Sequence, residues 1–311
     1  MSWLGQVSRA YLPGAEAIRD VALVYVLMLC AGYFAIRARS RIAAWTLAVV
    51  ALASTFHFVS HEPAGARMLA IVATLLLAMK VIAASHGTTR VTFRQWIAFT
   101  LWAGMRPAIF TLLGAPAREG APTLAREGAA RLAAGAVLLV LARLLTLCVP
   151  ATAAKILATP LLLVGLSLML HFGLLNLGAA LWRAWGVPAE RLFRDPLHAR
   201  SLADFWSRRW NIAFSEMTAV VVQRPIKAVA GRRASIFASF LVSGLLHEMA
   251  ISVPARGGYG LPTLYFALQG ALVVRNTKSR TIMFAALIAP ILLVFHLPFL
   301  RAVIWPLAGI H

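Results

Sequence analysis

Residues 156–182 read ILATPLLLVGLSLMLHFGLLNLGAALW, an unbroken run without one Asp, Glu, Lys or Arg. As a helix rising 1.5 Å per residue it is roughly 40 Å long, enough to cross a hydrocarbon core of about 30 Å. Comparable apolar stretches lie at 21–36, 42–60, 67–85, 131–149, 235–253, 259–274 and 281–300, which predicts eight membrane helices. The first is short, but its flank lacks the basic region and small-residue cleavage site of a signal peptide, so it reads as a retained span. Helices satisfy their own backbone groups in lipid, so the expected fold class is all-α and polytopic.

Composition agrees. Of 311 residues, 61% are hydrophobic and 13% charged, with a mean hydropathy of +0.80; soluble domains average roughly 45–50% and about 25%. The net charge of +20 would suggest nucleic acid in a soluble chain, but here it must be read with topology, and no nucleic-acid partner is expected. With the N-terminus outside, 22 of the 30 basic residues fall in the inner loops 37–41, 86–131, 183–233 and 275–280, and six fall outside. Lys80 and Arg143 lie within spans. This asymmetry orients both termini away from the cytoplasm. Ten carboxylates without a DxxxD or DxxD pair exclude aspartate-rich metal chemistry, and Cys30 and Cys148 sit in apolar runs, proposing neither a disulfide framework nor a zinc site.

Two inner loops are too apolar for linkers. Residues 93–114, FRQWIAFTLWAGMRPAIFTLLG, suit an interfacial or re-entrant helix pair, with a ninth and tenth span left open. Residues 201–225 have an interface composition, and Ser201 with Asp204 offers a helix start. The expectation is one domain over 1–311 with about eight to ten transmembrane or re-entrant helices, its motif-bearing core at about 183–275.

Ionisable residues at mid-span are functional candidates by default. His247 stands twelve residues beyond Ser235, roughly 18 Å along its helix and near the bilayer midplane, and Glu248 follows it. Ser235, Ser239, Ser243 and His247 recur every four residues, so one face is polar up to the histidine. That face reads as a path to a base, or as small residues that allow close helix packing beside Gly244. In Trp206-Ser207-Arg208-Arg209-Trp210-Asn211, two tryptophans flank two arginines and an amide follows. The strip reads as a membrane anchor, or as a site where Arg208 and Arg209 meet an anionic group while Asn211 points inward. His57 and His61 have a metal-capable i, i+4 spacing, but a third ligand is not evident and no metal is expected. Arg143 is expected to snorkel or to pair inside the bundle, and His171 and Asn176 could line one cavity. Glycine-rich phosphate loops and a GxSxG elbow are absent from the sequence.

PLHARSLADFWSRRWN (196–211), followed by Gln223-Arg224-Pro225 and FLVSGLLHE (240–248), resembles the signature blocks of the wax-synthase branch of the membrane-bound O-acyltransferases. The pattern there is similar to SLxDFWGRRWN and VSGxxHE; Ser207 stands where glycine is usual. The resemblance covers about a fifth of the chain directly. It implies transfer of a fatty acyl group from acyl-CoA to the hydroxyl of a lipophilic alcohol in a membrane-embedded tunnel. It places the family's histidine on His247 and its tryptophan-asparagine pair on Trp210 and Asn211.

On this reading His247 is the general base and Asn211 a donor to the thioester carbonyl or a holder of the pantetheine arm. Trp206, Arg208, Arg209, Trp210, Ser243 and Glu248 are the expected substrate-binding positions, with Arg208 and Arg209 on the CoA phosphates. Glu248 lies about 100° around the helix from His247, so it is expected to fix a neighbouring helix or loop and receives no triad role. No permanently bound cofactor is implied; acyl-CoA is a co-substrate, and membrane lipids surround the chain. The rival readings are a proton-coupled transporter or lipid flippase, in which the serine face is a permeation path, and a scaffold binding anionic lipid. Twenty-six arginines against four lysines, with abundant alanine, point to a GC-rich bacterial genome and an inner membrane.

Overall fold

A computed structural model describes residues 3–276 and 279–310. Lys278, counted above among the inner-loop cations, and His311 lie outside them. Those residues form an all-α structure: α1 (Trp3–Tyr11), α2 (Ala15–Arg37), α3 (Arg41–Phe58), α4 (Ala64–Ser85), α5 (Phe93–Thr100), α6 (Ala121–Cys148), α7 (Ala151–Ala184), α8 (Ile212–Ala255), α9 (Leu261–Val274), α10 (Arg280–Val294) and α11 (Leu297–Ala308). Large apolar side chains such as Ile42, Val137, Leu147 and Ile156 point outward from the long helices, as lipid-facing surfaces do.

The expected count of eight to ten spans is corrected. Among the described residues, six helices (α2, α3, α4, α6, α7 and α8) are long and apolar enough to cross a membrane, or seven if the bent pair α10 and α11 is one span. The stretch expected at 259–274 forms a helix of 14 residues, roughly 21 Å and short of the core thickness. The stretch expected at 281–300 is broken by a 63° bend between α10 and α11. Pro290 and Pro298 each withdraw a backbone donor there, and His296 Nδ1 accepts from Phe299 N–H at 3.3 Å to restart the helix.

Residues 93–114 do not span. They fold as α5, opened by a Thr92/Gln95 capping box, and a 3₁₀ turn over Pro107–Leu112. Wholly buried Lys80 of α4 holds this segment: its Nζ donates to the Phe99 and Gly104 carbonyls at 2.9 and 2.8 Å and lies 3.9 Å from the Phe99 ring centroid. Arg143 pairs inside the bundle, its Nη1 donating to Thr146 Oγ1 and the Ala308 carbonyl.

α8 carries the site. As one straight rod its 44 residues would be roughly 66 Å long, twice the hydrocarbon thickness. The backbone instead breaks at Gly231 (φ 80°, ψ 177°), a conformation essentially reserved for glycine. Residues 212–230 and 232–255 are therefore separate arms, and His247 lies on the second. Two ion pairs from Arg106, to Glu216 at 3.1 Å and to Glu190 at 3.6 Å, tie the 93–112 segment to the first arm and to the loop that precedes it.

Candidate active site

The segment before α8 is built by local capping. Ser201 Oγ accepts from Asp204 N–H at 3.1 Å, and Asp204 Oδ2 accepts from Arg200 N–H at 3.0 Å and from Arg209 Nε at 2.9 Å. Burial pushes the Asp204 carboxyl up, but these donors and the nearby Arg208 outweigh it and hold it below its ordinary range. The backbone then widens into a π-turn over Phe205–Arg209 and ends at Asn211. Asn211 adopts a left-handed conformation (φ 49°, ψ 62°) that asparagine tolerates better than most residues. Its Oδ1 accepts from Phe214 N–H at 3.2 Å and caps the first arm of α8. With the carbonyl oxygen so engaged, the amide NH₂ is the end available as a donor.

The second arm presents Ser235, Ser239, Ser243 and His247 on one face, and all four line a cavity of about 510 Å³. Trp206, Ser207, Trp210 and Asn211 line it from the segment before α8, Phe214 and Ser215 from the first arm, and Phe266 and Val273 from α9. The sequence left open whether the serines served packing. Close approach falls instead to Gly244, where an added Cβ would come within 2.7 Å of Thr263 Cα. Where the resemblance implies a tunnel, the structure holds this cavity.

His247 has a defined tautomer. Its Nδ1 lies 2.7 Å from the Ser243 carbonyl oxygen, and a carbonyl only accepts, so Nδ1 carries a proton and, in the neutral ring, Nε2 bears the lone pair. The imidazole rests on Phe266, ring centroids 4.3 Å apart and tilted by 38°. Phe266 is backed by Trp206, whose Nε1 donates to Gln269 Oε1 at 3.3 Å. Trp210 stacks on Phe205 at 5.4 Å and meets Phe193 edge-on at 4.9 Å. A neutral imidazole with one nitrogen pinned and an amide donor on the same cavity can accept a proton while polarising a carbonyl.

Of the eight expected site residues, His247, Asn211, Trp206, Trp210 and Ser243 share this cavity, and Arg208, Arg209 and Glu248 do not line it. Arg208 is exposed, and Arg209 is engaged by Asp204 and by the Asp195 carbonyl at 3.0 Å. Glu248 Oε1 accepts from Thr263 N–H and Oγ1–H, both at 3.0 Å, so the side chain reaches α9 instead of the cavity. His171 and Asn176 are also elsewhere: the His171 ring packs on Phe193 at 4.5 Å, and its Nδ1 meets Ser167 Oγ. The cations that do line the cavity are Lys227 and Arg232, which flank the Gly231 break. In the sequence they belong to the inner-loop charge, and the basic run 224–233 with a glycine inside it is the available signal. Phe266 had no sequence signal at all.

Comparison with known proteins follows the same segment. Residues 189–268 match the model of the membrane bound O-acyl transferase family. Two Arabidopsis thaliana proteins are similar over 107 residues. "Probable long-chain-alcohol O-fatty-acyltransferase 7" is 33% identical, over 30% of this chain and 31% of the relative. "Probable long-chain-alcohol O-fatty-acyltransferase 1" is 36% identical, over 32% and 31%. The long-chain-alcohol O-fatty-acyltransferase of Simmondsia chinensis is 35% identical over 65 residues, 18% of each chain. The chain thus spans about a third or less of the length of these relatives. The matched region contains the whole 201–211 segment, both arms of α8 and Phe266, so the similarity to the membrane bound O-acyl transferase family falls on the segments that build the cavity.

Proposed function

We propose that the protein is a membrane-embedded acyltransferase that moves a fatty acyl group from acyl-CoA to the hydroxyl of a lipophilic alcohol. The observation that carries this reading is the pairing of His247 and Asn211 on one cavity, the histidine with Nδ1–H bound to Ser243 O and Nε2 left as the base. Nε2 takes the proton of the acceptor hydroxyl as its oxygen attacks the thioester carbonyl. The Asn211 amide donates to the carbonyl oxygen as charge develops there, and CoA leaves as the thiol once it is protonated from the imidazolium. No covalent acyl-enzyme is required. Lys227 and Arg232 replace Arg208 and Arg209 as the residues assigned to the CoA phosphates, since they stand on the cavity. The inner-loop charge places this end at the cytoplasmic face, and the arginine-rich composition points to a bacterial inner membrane.

The test is acyl transfer by purified, liposome-reconstituted protein with labelled palmitoyl-CoA and a panel of long-chain, sterol-like and glyceride alcohols. Ester should form with at least one acceptor class, and Lys227→Glu with Arg232→Glu should raise the donor KM more than they lower kcat. No ester across the panel, together with unchanged palmitoyl-CoA binding in the double variant, would contradict the reading.

A further inference from the structure

The acidic neighbour of His247 is not on the cavity, yet it is tied to something that is. α9 starts at Leu261 after Gly260, which has no side chain to bond the free N–H groups of the first turn, and Pro262 contributes no N–H. Glu248 supplies the missing acceptor from another helix. Its Oε1 takes both Thr263 N–H and Thr263 Oγ1–H at 3.0 Å, with its negative charge at the favourable end of the helix dipole. One turn earlier, Gly244 lets the Thr263 backbone come close. The two contacts bracket His247 and fix the height of α9 against the second arm of α8. Three residues beyond Thr263, Phe266 lies against the imidazole at 4.3 Å. The ring is thus held from two sides, by the Ser243 carbonyl of its own helix and by Phe266 of α9. α8 passes into a π-turn at Glu248 itself, over Glu248–Ser252, and such turns are frequent where a helix serves a site.

We propose that Glu248 is a positioning residue: through Thr263 it clamps α9 to the His247 helix and so holds Phe266 against the imidazole, keeping Nε2 directed at the cavity. The proposal rests on His247 being the base. It assigns the carboxylate neither substrate nor proton. What Glu248 contributes is an acceptor oxygen at a fixed place, which a glutamine side chain also provides.

The test measures kcat and donor KM in reconstituted wild type, Glu248→Ala, Glu248→Gln and Phe266→Leu, with melting temperature and detergent size-exclusion profile followed in parallel. Glu248→Ala should lower kcat by about tenfold or more, within the ~10²-fold that a 1 Å misplacement can cost, and leave donor KM nearly unchanged. Glu248→Gln should recover most of that loss. Phe266→Leu should lower kcat in the same way, and the double variant Glu248→Ala/Phe266→Leu should lose less than the product of the two. Should Glu248→Ala fail to fold, Glu248→Gln and Phe266→Leu decide the matter alone. A Gln variant as inactive as the Ala variant, an Ala variant with raised KM and intact kcat, or a fully active Phe266→Leu would each overturn the clamp. Ester made equally by wild type and His247→Ala would remove the base reading beneath it, whereas loss in His247→Ala with full activity in Glu248→Ala removes the clamp alone.

Discussion

Asn211 has a structural task and a proposed chemical one, and two substitutions separate them. Structurally it occupies a left-handed backbone position at φ 49° and caps Phe214 N–H at 3.2 Å. Replacement by alanine removes the cap, worth about 1 kcal/mol, and puts a residue without asparagine's local hydrogen bonding into a left-handed conformation that costs an ordinary L-residue roughly 1–2 kcal/mol, so lost activity there would be ambiguous. Glycine accepts the backbone freely and lowers capping by only a few tenths of a kcal/mol. Aspartate keeps an acceptor for Phe214 and tolerates the same backbone, but has no N–H to give. Asn211→Gly and Asn211→Asp should therefore melt near wild type in detergent. If the amide stabilises the developing oxyanion, both should lose ~10²–10³ in kcat, or about 2.7–4 kcal/mol of barrier lowering. Initial rates of labelled ester formation at saturating acceptor, beside the melting curves, give both numbers on one preparation. Native-like melting with kcat within a few-fold of wild type in both variants would refute the donor role and leave Asn211 a cap.

Other positions give independent checks. Gly244→Ala puts a Cβ within 2.7 Å of Thr263 Cα, a backbone atom that cannot rotate away. The α8–α9 contact should loosen at a cost of about 1–3 kcal/mol and lower the melting temperature, while Ser243→Ala, on the cavity, should not. Asp204 is held below its ordinary pKa by donors that outweigh its burial. Its stabilisation is therefore complete above about pH 4 and is lost as pH falls through its lower folded value. In melts between pH 5 and pH 3, Asp204→Asn should lose that acid-side decline; at a partly exposed pair the step should be only about 0.5–1 kcal/mol. An equal decline in both proteins would assign it elsewhere.

The fold was legible where lipid dictates it. A helix in hydrocarbon must satisfy its backbone alone, so long apolar runs such as 67–85 and 156–182 translate directly into α4 and α7. Hydropathy counts residues and is blind to breaks, which is why 281–300 read as one span although Pro290, His296 and Pro298 bend it. A glycine inside the basic run 224–233 was the faint signal of a break there; Lys227 and Arg232, on either side of Gly231, line the cavity, and Arg208 and Arg209 do not. His247 and the serine face could be read because a four-residue period on one helix is a local property. The contact of Phe266 with that histidine depends on how α9 docks, which a single sequence does not encode at any fixed spacing. Glu248 was partly legible: its angular offset excluded it from the base, and the structure supplies Thr263 as the partner.

The central claim is that Nε2 of His247 removes the acceptor proton. Its most direct test is ester formation by purified, liposome-reconstituted wild type and His247→Ala, with labelled palmitoyl-CoA and a long-chain alcohol and with donor binding measured on the same samples. The account predicts ester from wild type, its loss in the variant by about 10²-fold or more, and donor binding retained in both. Equal ester formation by the two proteins would contradict it.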